Sequence, residues 1–209
     1  MHATLQIIRS EHQALTAMLR SIRLLLEEHR RRDTLPDFGL LRAMLFYVDE
    51  FPERMHHTKE SELLFPMLRG KSREADAVLD RLDHDHAHGE GAIRQLEHQL
   101  LGFEMMAETA QGPERRERFQ KSMNAYIDFY LSHMHLEETE VLPLAERVLS
   151  PAEWQRLDAA FSLNRDPIVN FDADGPYRPV FQKILMHLPA PLGLGPSLDA
   201  RAPADLVRA

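Results

Sequence analysis

The 209-residue chain contains no cysteine. That absence excludes disulfides, thiolate metal ligation, iron–sulfur clusters held by this chain and cysteine nucleophiles, so any metal must sit on nitrogen and oxygen. No unbroken apolar run approaches the roughly 20 residues needed to cross a bilayer. The first residues, Met1-His2-Ala3-Thr4-Leu5-Gln6, lack a basic segment followed by an apolar stretch, and a cytoplasmic location is the expectation. Basic clusters are scarce too. The net charge is −8, and the one basic run, Arg30-Arg31-Arg32, reads as a helix C-terminus favoured by the helix dipole, which argues against a nucleic-acid partner.

What the sequence has in excess is histidine, 12 in all, within a chain whose 44% hydrophobic content suits one sizeable core. Four long segments show helical period. Residues 3–31 place Ile8, His12, Leu15, Leu19, Ile22 and Leu26 on one stripe. The second runs from after Thr34-Leu35-Pro36 to about Arg69, with Leu41, Leu45, Val48, His56, Glu60 and Leu63 in line and a kink expected at Pro52. After Gly70-Lys71-Ser72, the third carries Val78, Leu82, His86, Gly89, Ile93, Leu96 and Leu100, and Gln111-Gly112-Pro113 should end it. The fourth, about Pro113 to Leu149, aligns Phe119, Met123, Tyr126, Tyr130, His133, Glu137 and Val141.

Ser150-Pro151-Ala152-Glu153 has the composition of a capping box opening a fifth, shorter helix. Beyond Asn164 the chain turns to proline, glycine and aspartate, with a short helix expected at Tyr177–His187 and a loose end from Pro189. The expected architecture is therefore all-α: an up-down-up-down four-helix bundle over residues 1–149, then a helix and irregular tail over 150–209.

An internal repeat marks the site. Counting back from Pro66 and from Pro143, glutamate stands six residues before each proline and histidine ten before, giving His56-x-x-x-Glu60 and His133-x-x-x-Glu137. Glu11-His12 and Asp85-His86 precede them on the other two segments. Four residues nearly complete a helical turn, so each His–Glu pair shares a face. These six residues fall inside the apolar stripes, where unpartnered imidazoles and carboxylates would cost several kcal/mol per charge. They need one another or a metal.

The nitrogen and oxygen set suits two iron ions, or manganese or zinc, bridged by the carboxylates and an oxo or hydroxo group, with room for dioxygen, nitric oxide or peroxide. Glu90, one turn after His86, is a candidate spare ligand or a group orienting an imidazole. His57, sharing a face with Glu53 and Ser61, is expected to be solvated or to lie behind the ligands. Glu11 and Asp85 are expected at the surface, His84 and His88 in solvent or behind the ligands, and His135 at the surface or hydrogen-bonded to a ligand. Tyr126 and Tyr130 lie on the ligand stripe before His133 and are expected to pack in the core or stand close to the metals.

The combination of Glu11-His12, His56-x-x-x-Glu60 leading into Leu64-Phe65-Pro66, Asp85-His86 with Gly89-Glu90, and His133-x-x-x-Glu137 leading into Val141-Leu142-Pro143 resembles the hemerythrin-like, or HHE cation-binding, family over about residues 5–145. The resemblance implies a non-haem di-iron site with His12, His56, His86 and His133 as terminal ligands and Glu60 and Glu137 as bridges. It departs from oxygen carriers, which have a second histidine one turn after the third-helix ligand and an aspartate bridge; Glu90 and Glu137 occupy those places. The four-histidine, two-glutamate pattern is similar to proteins that repair iron–sulfur centres, without their cysteine-containing segment. Binding or sensing of a small diatomic, in stress response or iron handling, is the expectation, with peroxide degradation or nitric oxide reduction, or a structural bundle, as alternatives. A homodimer is compatible with the sequence.

Overall fold

The computed structural model describes residues 2–164, 166, 168–169 and 178–187; the irregular tail expected from Pro189 lies outside the described residues. The described elements are helical. They are α1 (Ala3–Arg31), α2 (Phe38–Val48), α3 (His57–Lys59), α4 (Phe65–Leu68), α5 (Arg73–Met106), α6 (Gly112–Leu136), α7 (Leu142–Val148), α8 (Pro151–Phe161) and α9 (Arg178–His187). No strand occurs among the described residues, and no helix there is long and apolar enough to cross a membrane. The second long segment spans α2 to α4 and the fourth spans α6 and α7.

Several helix starts have a local cause. Asp37 accepts the Leu40 N–H at 2.8 Å and Ser72 the Ala75 N–H at 3.0 Å. At α8, Ser150 and Glu153 exchange both bonds of a capping box. Gly112-Pro113 opens α6 rather than closing α5, which already stops at Met106. Proline suits the first turn because its missing N–H would have no helical partner there. Gly112 is buried against the Ala107 carbonyl, so a Cβ at that position would collide with backbone.

The expected kink at Pro52 takes a more specific form. Residues Asp49–His56, Glu60–Leu64 and Glu137–Val141 are π-helical, with hydrogen bonds reaching back five residues. The His57 N–H bonds the Pro52 carbonyl, that of Phe65 the Glu60 carbonyl, and that of Leu142 the Glu137 carbonyl. Proline supplies the reason in the last two. Pro66 and Pro143 cannot donate, and their rings crowd the preceding turn, so one extra residue is accommodated just ahead of them. The glutamate six residues before each proline thereby sits at the head of a widened turn.

The four segments pack in a closed ring, α1 beside α2, α2 beside α5, α5 beside α6 and α6 beside α1. The ligand candidates come from the beginnings of α1 and α5 and from the later parts of the second and fourth segments, yet they meet at one level. The later part of α1 shares one core with α2, as does the later part of α5 with the earlier part of α6. One apolar core, including Leu19, Ile22, Met44, Tyr47, Phe103 and Phe119, fills the bundle on one side of that level. A second, with Leu5, Ile8, Phe65, Leu82 and Leu142, fills the other side and takes in Trp154, Leu157 and Phe161 of α8. Each such side chain, removed from water, stabilises the fold by about 1.5–3 kcal/mol. On α9, Ile184 and Val180 join the first core against α2.

Candidate metal centre

Between the two apolar cores lies a polar layer. His12, His56, Glu60, His86, His133 and Glu137 are all buried, Glu60 to 0% exposure. The Nε2 atoms of His12 and His56 face each other at 3.2 Å, and so do those of His86 and His133. Glu60 reaches both pairs, with Oε1 3.2 Å from His56 Nε2 and Oε2 3.6 Å from His86 Nε2. Glu137 does the same from the opposite wall. Its Oε2 lies 3.3 Å from His12 Nε2, and its Oε1 3.2 Å from His133 and 3.7 Å from His86. The result is two pairs of imidazoles joined by two carboxylates, each carboxylate presenting one oxygen to each pair.

The outward nitrogens are anchored. His56 Nδ1 donates to Glu11 Oε2 at 2.7 Å, His133 Nδ1 to Asp85 Oδ2 at 3.5 Å, and His12 Nδ1 to Glu138 Oε1 at 2.9 Å. Ser61 Oγ gives its own proton to Asp83, so it accepts from His86 Nδ1 at 2.8 Å. A ring holding its proton on Nδ1 turns a lone pair inward on Nε2, as metal-binding histidines do. The expectation that Glu11 and Asp85 are surface residues is therefore corrected. Both are buried, because each faces back toward the histidine of the neighbouring segment rather than out beside its own. Asn164, just past α8, donates to Glu11 Oε2 at 3.0 Å and closes this edge together with Asp166, which accepts from Tyr47 at 2.8 Å.

All four oxygens of Glu60 and Glu137 are buried without a hydrogen-bond partner. Charge shifts within the layer follow its composition. Burial works against a proton on His12, on His56 and on His133, but the facing carboxylates outweigh it and hold all three above the ordinary imidazole range, His133 at about 8. Burial would raise the Glu137 carboxyl; the imidazoles around it, His133 foremost, bring it well below the usual range instead. Without metal, protons favoured on His12, His56 and His133 offset the charge of the Glu137 carboxylate. Hard cations with borderline nitrogen affinity, iron, manganese or zinc, fit the same donors.

Of the two places expected for His57, in solvent or behind the ligands, it takes the second: it is buried, and its ring stacks on His86 at a centroid distance of 4.3 Å. Its Nδ1 lies 3.2 Å from Glu53 Oε2, and Glu53 also accepts from Tyr126 at 2.7 Å and from Tyr130. Burial pushes the His57 imidazole well below its ordinary value, the neighbouring His86 and His133 adding to it. Glu90 instead is exposed and pairs with Arg94, apart from the polar layer. The helix turns it outward while Gly89 faces in against Tyr130. The hydroxyls of Tyr126 and Tyr130 are committed to Glu53. His84, His88 and His135 are exposed, the first of the two places open to each.

Two groups of buried ligand atoms are each close enough to surround one ion: His12, His56, Glu60 and Glu137 in one, and His57, His86 and His133 in the other. The contribution of His57 lacked a spacing signal. It follows His56 directly, and π-helical segments flank it on both sides. Beside the first group a pocket is lined by Leu15, Phe51, Pro52 and Met55 together with Glu11, His12, His56, His57, Asn164 and Asp166. Residues 3–145 match the family described as the hemerythrin HHE cation binding domain; no curated protein and no solved structure matches the chain.

Proposed function

Because the chain belongs to the hemerythrin HHE cation-binding domain family, we propose that its polar layer holds two iron ions. His12 and His56 serve one ion and His86 and His133 the other, with Glu60 and Glu137 shared between them. The observation that carries this reading is the set of four carboxylate oxygens buried without hydrogen-bond partners among four inward Nε2 atoms. Leaving such groups unsatisfied costs about 1–3 kcal/mol each, more for charged ones, and a cation removes that cost.

Two ferrous ions at this site would supply reducing electrons and exchangeable coordination positions to dioxygen, nitric oxide or peroxide. The protein does the rest. Glu11, Asp85, Glu138 and Ser61 fix the ring orientations, and the two apolar cores keep bulk water away. The small pocket where Leu15, Phe51, Pro52 and Met55 meet His12, His56 and His57 offers a partly apolar approach to the layer, suited to a small uncharged molecule. Binding or sensing of such a molecule, in stress response or iron handling, is the function this arrangement supports best.

Anaerobic addition of ferrous iron followed by metal analysis should give two irons per chain. Exposure to dioxygen or nitric oxide should then produce a new visible charge-transfer band. Two bound irons with an unchanged spectrum would reject the small-molecule function, and fewer than about one metal per chain without thermal stabilisation would reject the metal site itself.

A further inference from the structure

The pocket beside His12, His56 and His57 leaves a free volume of about 10 Å³, room for no more than a single water. A divalent cation carrying even part of its water shell needs more. One wall of the pocket must therefore move before an ion can pass.

The walls are held in different ways. Leu15 and Phe51 belong to the main apolar core, and Met55 packs against it. His12, His56 and His57 are tied to Glu138, Glu11 and Glu53. Asn164 and Asp166, each only 5% exposed, have polar bonds alone. Asn164 donates to Glu11 Oε2 at 3.0 Å and takes the Lys59 ammonium on its Oδ1, and Asp166 accepts from the Tyr47 hydroxyl at 2.8 Å. Leu163 and Ile168, the apolar residues to either side, are exposed and add no anchorage in the core.

Helix α8, just before them, is fastened far more firmly. Trp154, Leu157 and Phe161 are buried in the second core, and Asp158 accepts from both the N–H and the hydroxyl of Thr4, at 2.8 and 2.7 Å. Parts of a structure with few buried apolar contacts open locally at lower cost than its cores. The polar wall is thus the one that yields, turning where α8 ends while α8 stays docked. Asn164 and Asp166 also lie beyond residue 145, where the family match stops, so this wall is added by the chain to the domain it closes.

We propose that Asn164 and Asp166 form a latch on the polar layer. Held by Glu11, Lys59 and Tyr47, it seals the pocket; released, with α8 in place, it admits a divalent cation to the His12–His56 side. The latch stands on its own contacts, and its use by a metal ion rests on the two-metal reading.

Tyr47→Phe removes only the hydroxyl that holds Asp166 and leaves the ring in the core. In the metal-free full chain, modification by diethyl pyrocarbonate, mapped peptide by peptide, should be about 10-fold faster than in the wild type at His12, His56 and His57, the scale of one lost buried hydrogen bond. At His86 and His133 it should not change. Asp166→Asn keeps a partner for the hydroxyl and should react like the wild type. Cobalt(II) uptake by Tyr47→Phe and its release to a chelator should both quicken by a similar factor with Kd unchanged, because a latch alters rates of passage and not the bound state. No acceleration at the three pocket histidines, or equal acceleration at all five, would overturn the latch. Faster release without faster uptake would overturn its role as the entrance. The expected modification pattern in a chain that binds no cobalt would keep the latch and reject the two-metal reading.

Discussion

Replacing Glu60 with methionine should have opposite effects with and without metal. The side chain has 0% exposure, neither oxygen has a hydrogen-bond partner, and its contacts are the imidazoles of His56 and His86. Exchanging a buried ion pair for an apolar side chain of similar volume is commonly neutral or stabilising by about 1–4 kcal/mol. The usual danger, a stranded opposite charge, is small here because imidazoles can release their protons. We therefore expect metal-free Glu60→Met to be more stable than the metal-free wild type by about 1–2 kcal/mol at pH 8, a rise in Tm of about 2–8 °C for a chain of this size. With free ferrous iron at about 1,000 times Kd, the wild type should gain about 4 kcal/mol. The variant, lacking an oxygen for either ion, should gain less than half of that. Calorimetric melts with chelator and with anaerobic iron measure both differences. Destabilisation of the metal-free variant by about 3–5 kcal/mol, the penalty for an uncompensated buried charge, would refute the reasoning, as would an undiminished response to iron.

The orienting groups and the protons of the layer yield further tests. Glu11→Gln should weaken metal binding about 10–100-fold by titration calorimetry through loss of the His56 anchor, and Asn164→Ala should destabilise the chain by about 1–3 kcal/mol in urea by removing the bond that Glu11 receives. His133 is held at about 8, above its unfolded value of about 6.5. Its contribution of about 2 kcal/mol is therefore complete below pH 6.5 and lost as pH rises through 8, so the metal-free protein should be less stable at pH 9 than at pH 6 in denaturant titrations. Metal affinity should move the other way, rising with pH as protons cease to compete for the ring nitrogens. Gly89→Ala should cost about 1–3 kcal/mol in chemical denaturation by displacing the Tyr130 ring; a neutral result would mean that Tyr130 is not held where it is seen.

The six central residues were legible because their signal is periodic. His12, His56, Glu60, His86, His133 and Glu137 fall on apolar stripes, and stripes report burial one helix at a time. Orientation across helices leaves no such trace. Glu11 and Asp85 read as surface charges because each looks polar beside its own helix, yet each serves a histidine of the adjacent segment. Glu90 drew attention by standing one turn after His86, but a straight helix carries it outward to Arg94. For His57 the choice between solvent and a place behind the ligands stayed open, because a 3.6-residue period puts it about 100° from His56 and does not register the π-helical segments on either side.

The same π segments connect the repeat in the sequence to a difference between its two halves. Pro66 and Pro143 widen equivalent turns and set Glu60 and Glu137 at equivalent points between the imidazole pairs. A third π segment, Asp49–His56, has no counterpart in the fourth helical segment, where α6 continues unbroken from Gly112 to Leu136. It is the segment that contains Pro52 and delivers Glu53 and His56. If its added residue is what turns His57 inward, Pro52→Ala should restore ordinary helical bonding and rotate His57 away while leaving Glu60, held by Pro66, in place. An NMR titration of metal-free Pro52→Ala should then show the His57 imidazole rising toward its ordinary pKa as burial is lost. An unchanged titration would mean that the packing of Tyr130 against Gly89, not the proline, determines where His57 points.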